Sequence, residues 1–243
     1  MAVKDPHRTA IMSWDGSLTF QELENHANNV AQHISSCRLA SPGVAVVPLL
    51  FGKSMYAIIA MLAIMKSGCA YTAWDASNPT LRLRNMAQQI GARLCLASEE
   101  NEKILEGTVS QVIVVDASLL SMLQSRPVNG AVFEPMGQLV SPNNAAIIVF
   151  TSGSTGTPKP IVLSHKAVSS CAKAYGPAMN FGPGTRVLSN AAYAFGKSLV
   201  GIIEFVLIQS YRYPCLRDFL DPHTRRHSFL DEQRPIKLGR CGQ

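Results

Sequence analysis

Ala145-Ala146-Ile147-Ile148-Val149-Phe150 runs without a break into Thr151-Ser152-Gly153-Ser154-Thr155-Gly156-Thr157-Pro158-Lys159-Pro160, and Ile161-Val162-Leu163 follows at once. The first run is the most strand-like in the chain, so the pattern predicts a buried strand, a polar glycine loop and a second strand. Hydroxyl side chains and two glycines fill positions 151–157, with Lys159 three residues after the second glycine. Glycine lets a backbone approach a ligand closely, and successive N–H groups in such a turn converge into an anion nest. The hydroxyls add neutral donors, and a lysine supplies a mobile point charge suited to phosphate. A solvated Ser/Thr/Gly linker would share this composition, but not the apolar strands on both sides. Neither G-x-x-x-x-G-K-[ST] nor G-x-G-x-x-G is satisfied in the loop.

Outward from the loop, the pattern is that of an α/β fold. Ser164 is placed to cap a helix through Ala167, Val168, Cys171, Ala172 and Tyr175. Toward the N-terminus, Ala10–Trp14 and Ser17–Phe20 flank Asp15-Gly16, a two-residue hairpin signal. Thr19 with Glu22 forms a capping box ahead of a helix bearing Leu23, Ala27, Val30, Ala31 and Ile34. Val44–Leu50 reads as a buried strand, Met55–Lys66 as a helix stopped by Ser67-Gly68, and Ala70–Trp74 as another strand. Asn78-Pro79-Thr80 opens a polar helix through Gln89, and Ala92–Leu96 and Gln111–Val115 are further strands. Strands alternating with such helices predict a largely parallel sheet. The Pro/Gly/Asn-rich stretch Pro127–Asn144 is expected to be a surface connection within one domain, because the alternation resumes beyond it.

The chain has 243 residues, 47% hydrophobic and 16% charged, so it can bury a substantial core. Six cysteines without a C-x-x-C pair argue against a disulfide scaffold or zinc site and fit a reducing, cytoplasmic compartment. Met1–Pro6 has no apolar h-region, so no secretory leader is expected, and the eleven-residue apolar run Met55–Met65 is too short to span a bilayer. The formal charge is +6, and residues 209–243 alone carry a net +3. That concentration weakens any reading of the whole chain as a nucleic-acid binder. Within the tail, Arg225-Arg226 with His223 and His227 offer a basic patch for RNA or an acidic partner, but no nucleic-acid motif accompanies it. An incidental extension is the simpler reading.

The loop resembles the phosphate-binding signature of the adenylate-forming (AMP-forming) synthetase superfamily, T-S-G-[ST]-T-G-x-P-K-G. Nine of its ten positions are satisfied; the exception is Pro160. Leu18-Thr19-Phe20-Gln21-Glu22-Leu23 resembles that family's L-T-Y-x-E-L, and Ala60–Tyr71 is similar to its L-x-x-x-K-A-G-x-A-Y motif, with a looser continuation Thr72–Ala76. Gly182–Leu188 resembles the approach to the next block, and together these favour adenylation domains of fungal nonribosomal peptide synthetases. The resemblance covers residues 10–208, leaving 209–243 as a divergent basic tail. It implies the N-terminal part of the large subdomain, with mixed, mostly parallel sheets flanked by helices, incomplete in this chain.

By resemblance, a substrate carboxylate attacks the α-phosphate of ATP, and the acyl-adenylate passes to a phosphopantetheine thiol on a carrier domain that this chain lacks. Thr151, Ser152, Gly153, Ser154, Thr155, Gly156, Thr157 and Lys159 are the implied ATP phosphate ligands, with Mg²⁺ sharing the charge. Tyr193-Ala194-Phe195-Gly196-Lys197-Ser198 matches Y-x-F-D-x-S, which makes Phe195 and Gly196 the implied substrate pocket. Glycine replaces the Asp that pairs with an amino acid's α-ammonium. Two explanations stand: an aryl-acid substrate whose nitrogen is uncharged, or decay of the site, which Gly201 in place of a frequent Glu also fits.

Beyond Ile208 the family pattern stops, and the Y-G-P-T-E loop, ribose Asp, hinge and adenylation lysine have no counterpart here. Tyr175-Gly176-Pro177 lies too early for that loop and reads as a helix end. No catalytic or metal-ligating residue is therefore assigned, and His33 and His165 are expected to be solvated or core residues. The chain is expected to be a truncated and inactive adenylation domain whose tail marks an exon or frameshift boundary. The alternatives are a non-catalytic ATP- or acyl-binding module and a pseudoenzyme fragment acting as an interaction protein.

Overall fold

The computed structural model describes residues 5–37, 45–125, 141–151, 158–180, 185–189 and 191–194. Most of the stretch Pro127–Asn144, loop residues 152–157, the pair Phe195-Gly196 and the tail 209–243 lie outside the described residues.

Two strands open the chain, β1 (Thr9–Ser13) and β2 (Gly16–Thr19), paired antiparallel with Ser13 opposite Gly16. The turn is therefore Trp14-Asp15, one residue earlier than the Asp-Gly signal indicates. Tertiary contacts set this register. The Asp15 carboxylate accepts from the Met55 N–H at 3.1 and 3.2 Å, and the Trp14 indole donates to the Lys53 carbonyl. Gly16 sits at φ +147, where a side chain is strained and a Cβ would stand 3.1 Å from Met55 Sδ.

The first helix, α1 (Phe20–Ser36), starts on the expected capping box: Thr19 Oγ1 accepts from Glu22 N at 3.2 Å, and Glu22 Oε2 accepts from Thr19 N at 2.8 Å. Leu23, Ala27, Val30, Ala31 and Ile34 form its buried stripe. Against it packs α2 (Met55–Lys66), whose residues from Ala57 to Lys66 are all buried. Ser54 caps its start by accepting from Ala57 N at 3.2 Å, and Gly68 at φ +80 follows its end. Lys66 Nζ bridges to Glu24 Oε1 of α1 at 2.7 Å.

Six strands form the main sheet: β3 (Val46–Leu50), β4 (Ala70–Trp74), β5 (Leu94–Ala97), β6 (Gln111–Val114), β7 (Ala145–Thr151) and β8 (Lys159–Ser164). Their order is β6-β5-β3-β4-β7-β8, with every neighbouring pair parallel except β7 and β8. This is the mixed, mostly parallel arrangement that the alternation predicts. Strand residues alternate between two apolar layers. Leu49, Tyr71, Leu94, Leu96 and Ile147 join α1 and α2 on one face. Leu50, Trp74, Cys95 and Ala97 meet Leu83, Met86 and Ala87 of α3 (Thr80–Ile90) on the other. Burial on both faces explains why these strands read as continuous apolar runs. Pro48 lies in the interior strand β3, where pairing with β5 begins only at Leu49, one residue beyond the missing N–H.

Three local features differ from the sequence expectations. A 3₁₀ segment (Glu99–Leu105) and a short helix α4 (Ala117–Gln124), capped by Asp116 accepting from Leu119 N at 2.7 Å, follow β5 and β6. Neither carries enough turns for its periodicity to stand out. The edge strand β8 exposes Ile161 and Val162, so the run Ile161–Leu163 is not a buried strand. Finally, α5 (His165–Ala178) continues through Gly176-Pro177 instead of stopping before them. Its stop is Asn180, at φ +54, after Met179 N donates to the Tyr175 carbonyl at 2.9 Å.

Candidate functional site

The site begins where β7 ends. In the parallel part of the sheet, Leu50, Trp74, Ala97, Val114 and Thr151 terminate their strands on the same edge. Ligands of open α/β sheets sit outside those carboxyl ends. Thr151 pairs directly with Lys159 across the β7–β8 ladder, and its Oγ1 donates to the Lys159 carbonyl at 3.3 Å. The glycine loop thus joins, in sequence, the facing ends of two antiparallel strands, both of which the sequence predicts. Both stem residues are exposed, whereas Pro158 is buried. Residues 152–157 fall outside the described residues, so Thr151 and Lys159 are the implied phosphate ligands that the structure places.

Pro160, the one departure from the signature, lies opposite Phe150 on the edge strand. Among the described residues β8 ends the sheet, and a strand in that position tolerates proline because one side has no neighbour to receive an N–H. One residue past β4, the Asp75 carboxylate accepts from Ser77 N at 2.9 Å, and hydrogen bonding by Ser77 holds its pKa below the usual carboxylate value. Ser164, at the far end of β8, caps α5 by accepting from Ala167 N at 3.2 Å. His165, the first residue of that helix, is buried, and burial lowers its pKa, in keeping with a core role.

A second part of the site is the approach to the Y-x-F pattern. Tyr193 is buried, and its hydroxyl donates to the Ser54 carbonyl at 3.4 Å. Lys53 Nζ stands 4.0 Å from the centre of its ring. The same ammonium donates to Ser189 Oγ at 3.1 Å and to the Ala191 carbonyl. Burial pushes the Tyr193 phenol up, with the Asp15 charge adding to it, and burial pulls the Lys53 ammonium down. The sequence pattern marked Tyr193 but not Lys53 or Ser54. Their roles arise across more than 130 residues of chain, a separation no local pattern encodes. Phe195 and Gly196 themselves lie outside the described residues.

Among the described residues, no three His, Cys, Asp or Glu side chains gather into a metal-holding group. None of their helices is long and apolar enough to cross a membrane. Cys37, Cys69, Cys95 and Cys171 are not joined in disulfides.

The sequence model of the family described as AMP-binding enzyme matches residues 1–235. The chain belongs to that family. Among curated proteins it is similar to the PF 1022-synthetase of Rosellinia sp., with 39% identity over 209 residues, which is 85% of this chain. The chain spans only 6% of that relative's length. Among solved structures, it superimposes on the AMPPNP-bound form of the nonribosomal peptide synthetase FmoA3 with a TM-score of 0.68 and 22% identity, covering 84% of this chain and 21% of that one. The N-terminal subdomain of Klebsiella oxytoca NpsA, in complex with 3-hydroxyanthranilyl-AMSN, matches with a TM-score of 0.68 and 21% identity, covering 85% of this chain and 49% of that one. The resemblance to fungal adenylation domains is borne out, and the fold is that of an adenylation-domain N-terminal subdomain.

Proposed function

We propose that these residues form the ATP phosphate-binding part of a site that activates a carboxylic acid as its acyl-adenylate. The observation that carries this is the β7–β8 hairpin. It holds Thr151 and Lys159 opposite each other at the carboxyl edge of the sheet, at the two ends of a T-S-G-S-T-G-T-P-K loop. In the reaction, a carboxylate oxygen forms a bond to the α-phosphorus while the bond to the bridging oxygen of pyrophosphate breaks. Positioning and charge stabilisation supply most of the catalysis in such transfers. Backbone N–H groups of 152–157, the hydroxyls and Lys159 would hold the departing pyrophosphate. Mg²⁺ would neutralise part of its charge. A hairpin rich in neutral donors, with no carboxylate cluster among the described residues, suits an ion carried mainly by phosphate oxygens and water.

The acid is read from Gly196. With no carboxylate at that position, an α-ammonium would be left poorly paired, so an acid with a neutral substituent, an aryl acid for example, fits better than a simple α-amino acid. Transfer to a carrier-domain phosphopantetheine belongs to the multidomain setting of the relatives. A cytoplasmic location fits cysteines that are not joined in disulfides among the described residues. Calorimetry with ATP–Mg²⁺ tests the reading. Saturable binding is expected, lost in Gly156→Val and weakened on the order of tenfold or more in Lys159→Ala. Binding that survives both substitutions would sink the phosphate-loop assignment.

A further inference from the structure

Charge is divided unevenly across the main sheet. The described residues up to position 125, which supply β1 to β6 and α1 to α4, carry ten Asp and Glu against seven Lys and Arg, a net −3. Those from 141 onward, which supply β7, β8, α5 and segments 185–189 and 191–194, carry Lys159, Lys166, Lys173 and Arg186 with no Asp or Glu, a net +4. In sequence, no Asp or Glu occurs between Glu134 and Glu204. Strand order turns this division into a gradient in space. Asp75 follows β4, beside β7, but Glu99 and Glu100 follow β5 and Asp116 follows β6, on the side of the sheet away from β8. At ~4.8 Å per strand, β5 and β6 lie about 14 and 19 Å from β7.

The positive end of the gradient contains the two strands that flank the glycine loop, with Thr151 and Lys159 opposite each other where the strands meet it. α5 packs against both strands, with Val168 against the core and Lys166 and Lys173 exposed. Seven residues apart, the two lysines lie two turns apart on one face of the helix. α5 starts at His165, directly after β8 ends at Ser164. Chain geometry then limits both lysine positions to within about 30 Å of Lys159, at ~3.3 Å per strand residue and ~1.5 Å per helical residue. That distance is the Debye length in about 0.01 M salt.

We infer that β7, β8 and α5 form an electrostatic capture surface for the nucleotide, on which Lys166 and Lys173 speed ATP toward the loop without contacting it. The inference rests on the reading of that loop as the phosphate site. A polyanion approaching a surface with such a gradient is drawn to its positive end. ATP carries its negative charge on the phosphates, so the same field turns that end of the molecule toward the loop. Because the attraction acts before contact, it enters the association rate and leaves the dissociation rate nearly unchanged.

The test is stopped-flow binding of a fluorescent ATP analogue with Mg²⁺ to the full chain, in 0.01 M and in 0.5 M salt. In Lys166→Glu/Lys173→Glu the association rate in 0.01 M salt is expected to fall on the order of tenfold, with the dissociation rate within about twofold of wild type. In 0.5 M salt the Debye length is about 4 Å, and the double variant should match wild type. Both positions are exposed, and a carboxylate at 166, in the first turn of α5, favours the helix. Lys166→Gln/Lys173→Gln only neutralises the charges and should give about half of the effect on a logarithmic scale. It carries the test should the reversed chain not fold.

An association rate equal to wild type in 0.01 M salt overturns the proposal. A loss that persists in 0.5 M salt, or one carried by the dissociation rate, also overturns it, by making the lysines contact or structural residues. Gly156→Val keeps the two readings apart. A Gly156→Val chain that still binds the analogue refutes the phosphate-loop reading, whereas an unchanged association rate in the lysine variants of a chain that needs Gly156 refutes capture alone. A wild-type chain that binds no nucleotide refutes both.

Discussion

The ion pair between Glu24 and Lys66 should respond unequally to removal of its two halves. Lys66 belongs to the K-S-G stretch that carries part of the family resemblance, and it bonds to Glu24 of α1. Its side chain is 6% exposed and that of Glu24 is 25% exposed, with Nζ and Oε1 2.7 Å apart. Glu24→Leu takes the carboxylate from an ammonium that water barely reaches, and stripping a partner from a buried charge costs about 3–5 kcal/mol. Lys66→Met leaves a carboxylate whose exposed quarter can draw in water, so its cost should be nearer 1–2 kcal/mol. Replacing both removes the desolvation penalty along with the attraction. The double variant should therefore fall within about 1 kcal/mol of wild type, far from the sum of the singles. Urea denaturation followed by circular dichroism measures all four proteins, provided the m-value stays constant. A Lys66→Met cost equal to or above that of Glu24→Leu, or additive single effects, would refute the reasoning. Folded variants should bind ATP–Mg²⁺ like wild type, since neither residue belongs to the loop.

Tyr71 is wholly buried in β4, its hydroxyl has no partner among the described residues, and burial drives its pKa far up. An unsatisfied buried hydroxyl costs about 1–3 kcal/mol, so Tyr71→Phe should be neutral or stabilising by about 1 kcal/mol in the same urea titration; a loss of stability would reveal a bonded hydroxyl. Burial holds both His165 and His26 below the ordinary imidazole pKa, although the Glu22 charge partly opposes this for His26. The unfolded chain then protonates first as pH falls through about 6.5. Stability should be full above that value and decline below it, and His165→Gln should flatten part of the decline in melting temperature. A wild-type melting temperature independent of pH across that range would contradict the burial argument.

Much of the layered core was legible because its determinants are local. The bounds of α2 follow from an uninterrupted apolar run closed by Ser67-Gly68, and those of β4 from a short apolar run between breakers. The start of α1 follows from a capping box whose two bonds link residues three apart. The misses share the opposite property. The hairpin turn shifts by one residue because Asp15 and Trp14 bond to residues about forty positions away. α5 runs past Gly176-Pro177 because proline in a last turn leaves only one helical bond unmade, and Asn180 provides the stop. Ile161 and Val162 look buried from composition, yet their exposure depends on β8 lying at the sheet edge.

By itself, the sequence determined the two strands at 145–151 and 159–163 and the family to which the chain belongs. These depend on residue types at fixed short spacings, where backbone freedom and donor chemistry act locally. Only the tertiary structure decided that Thr151 and Lys159 face each other across the base of a hairpin, that Lys66 pairs with Glu24, and that Lys53 reaches the chain ahead of Phe195. Each of these joins residues whose separation along the chain the fold, and not the local code, brings within bonding distance.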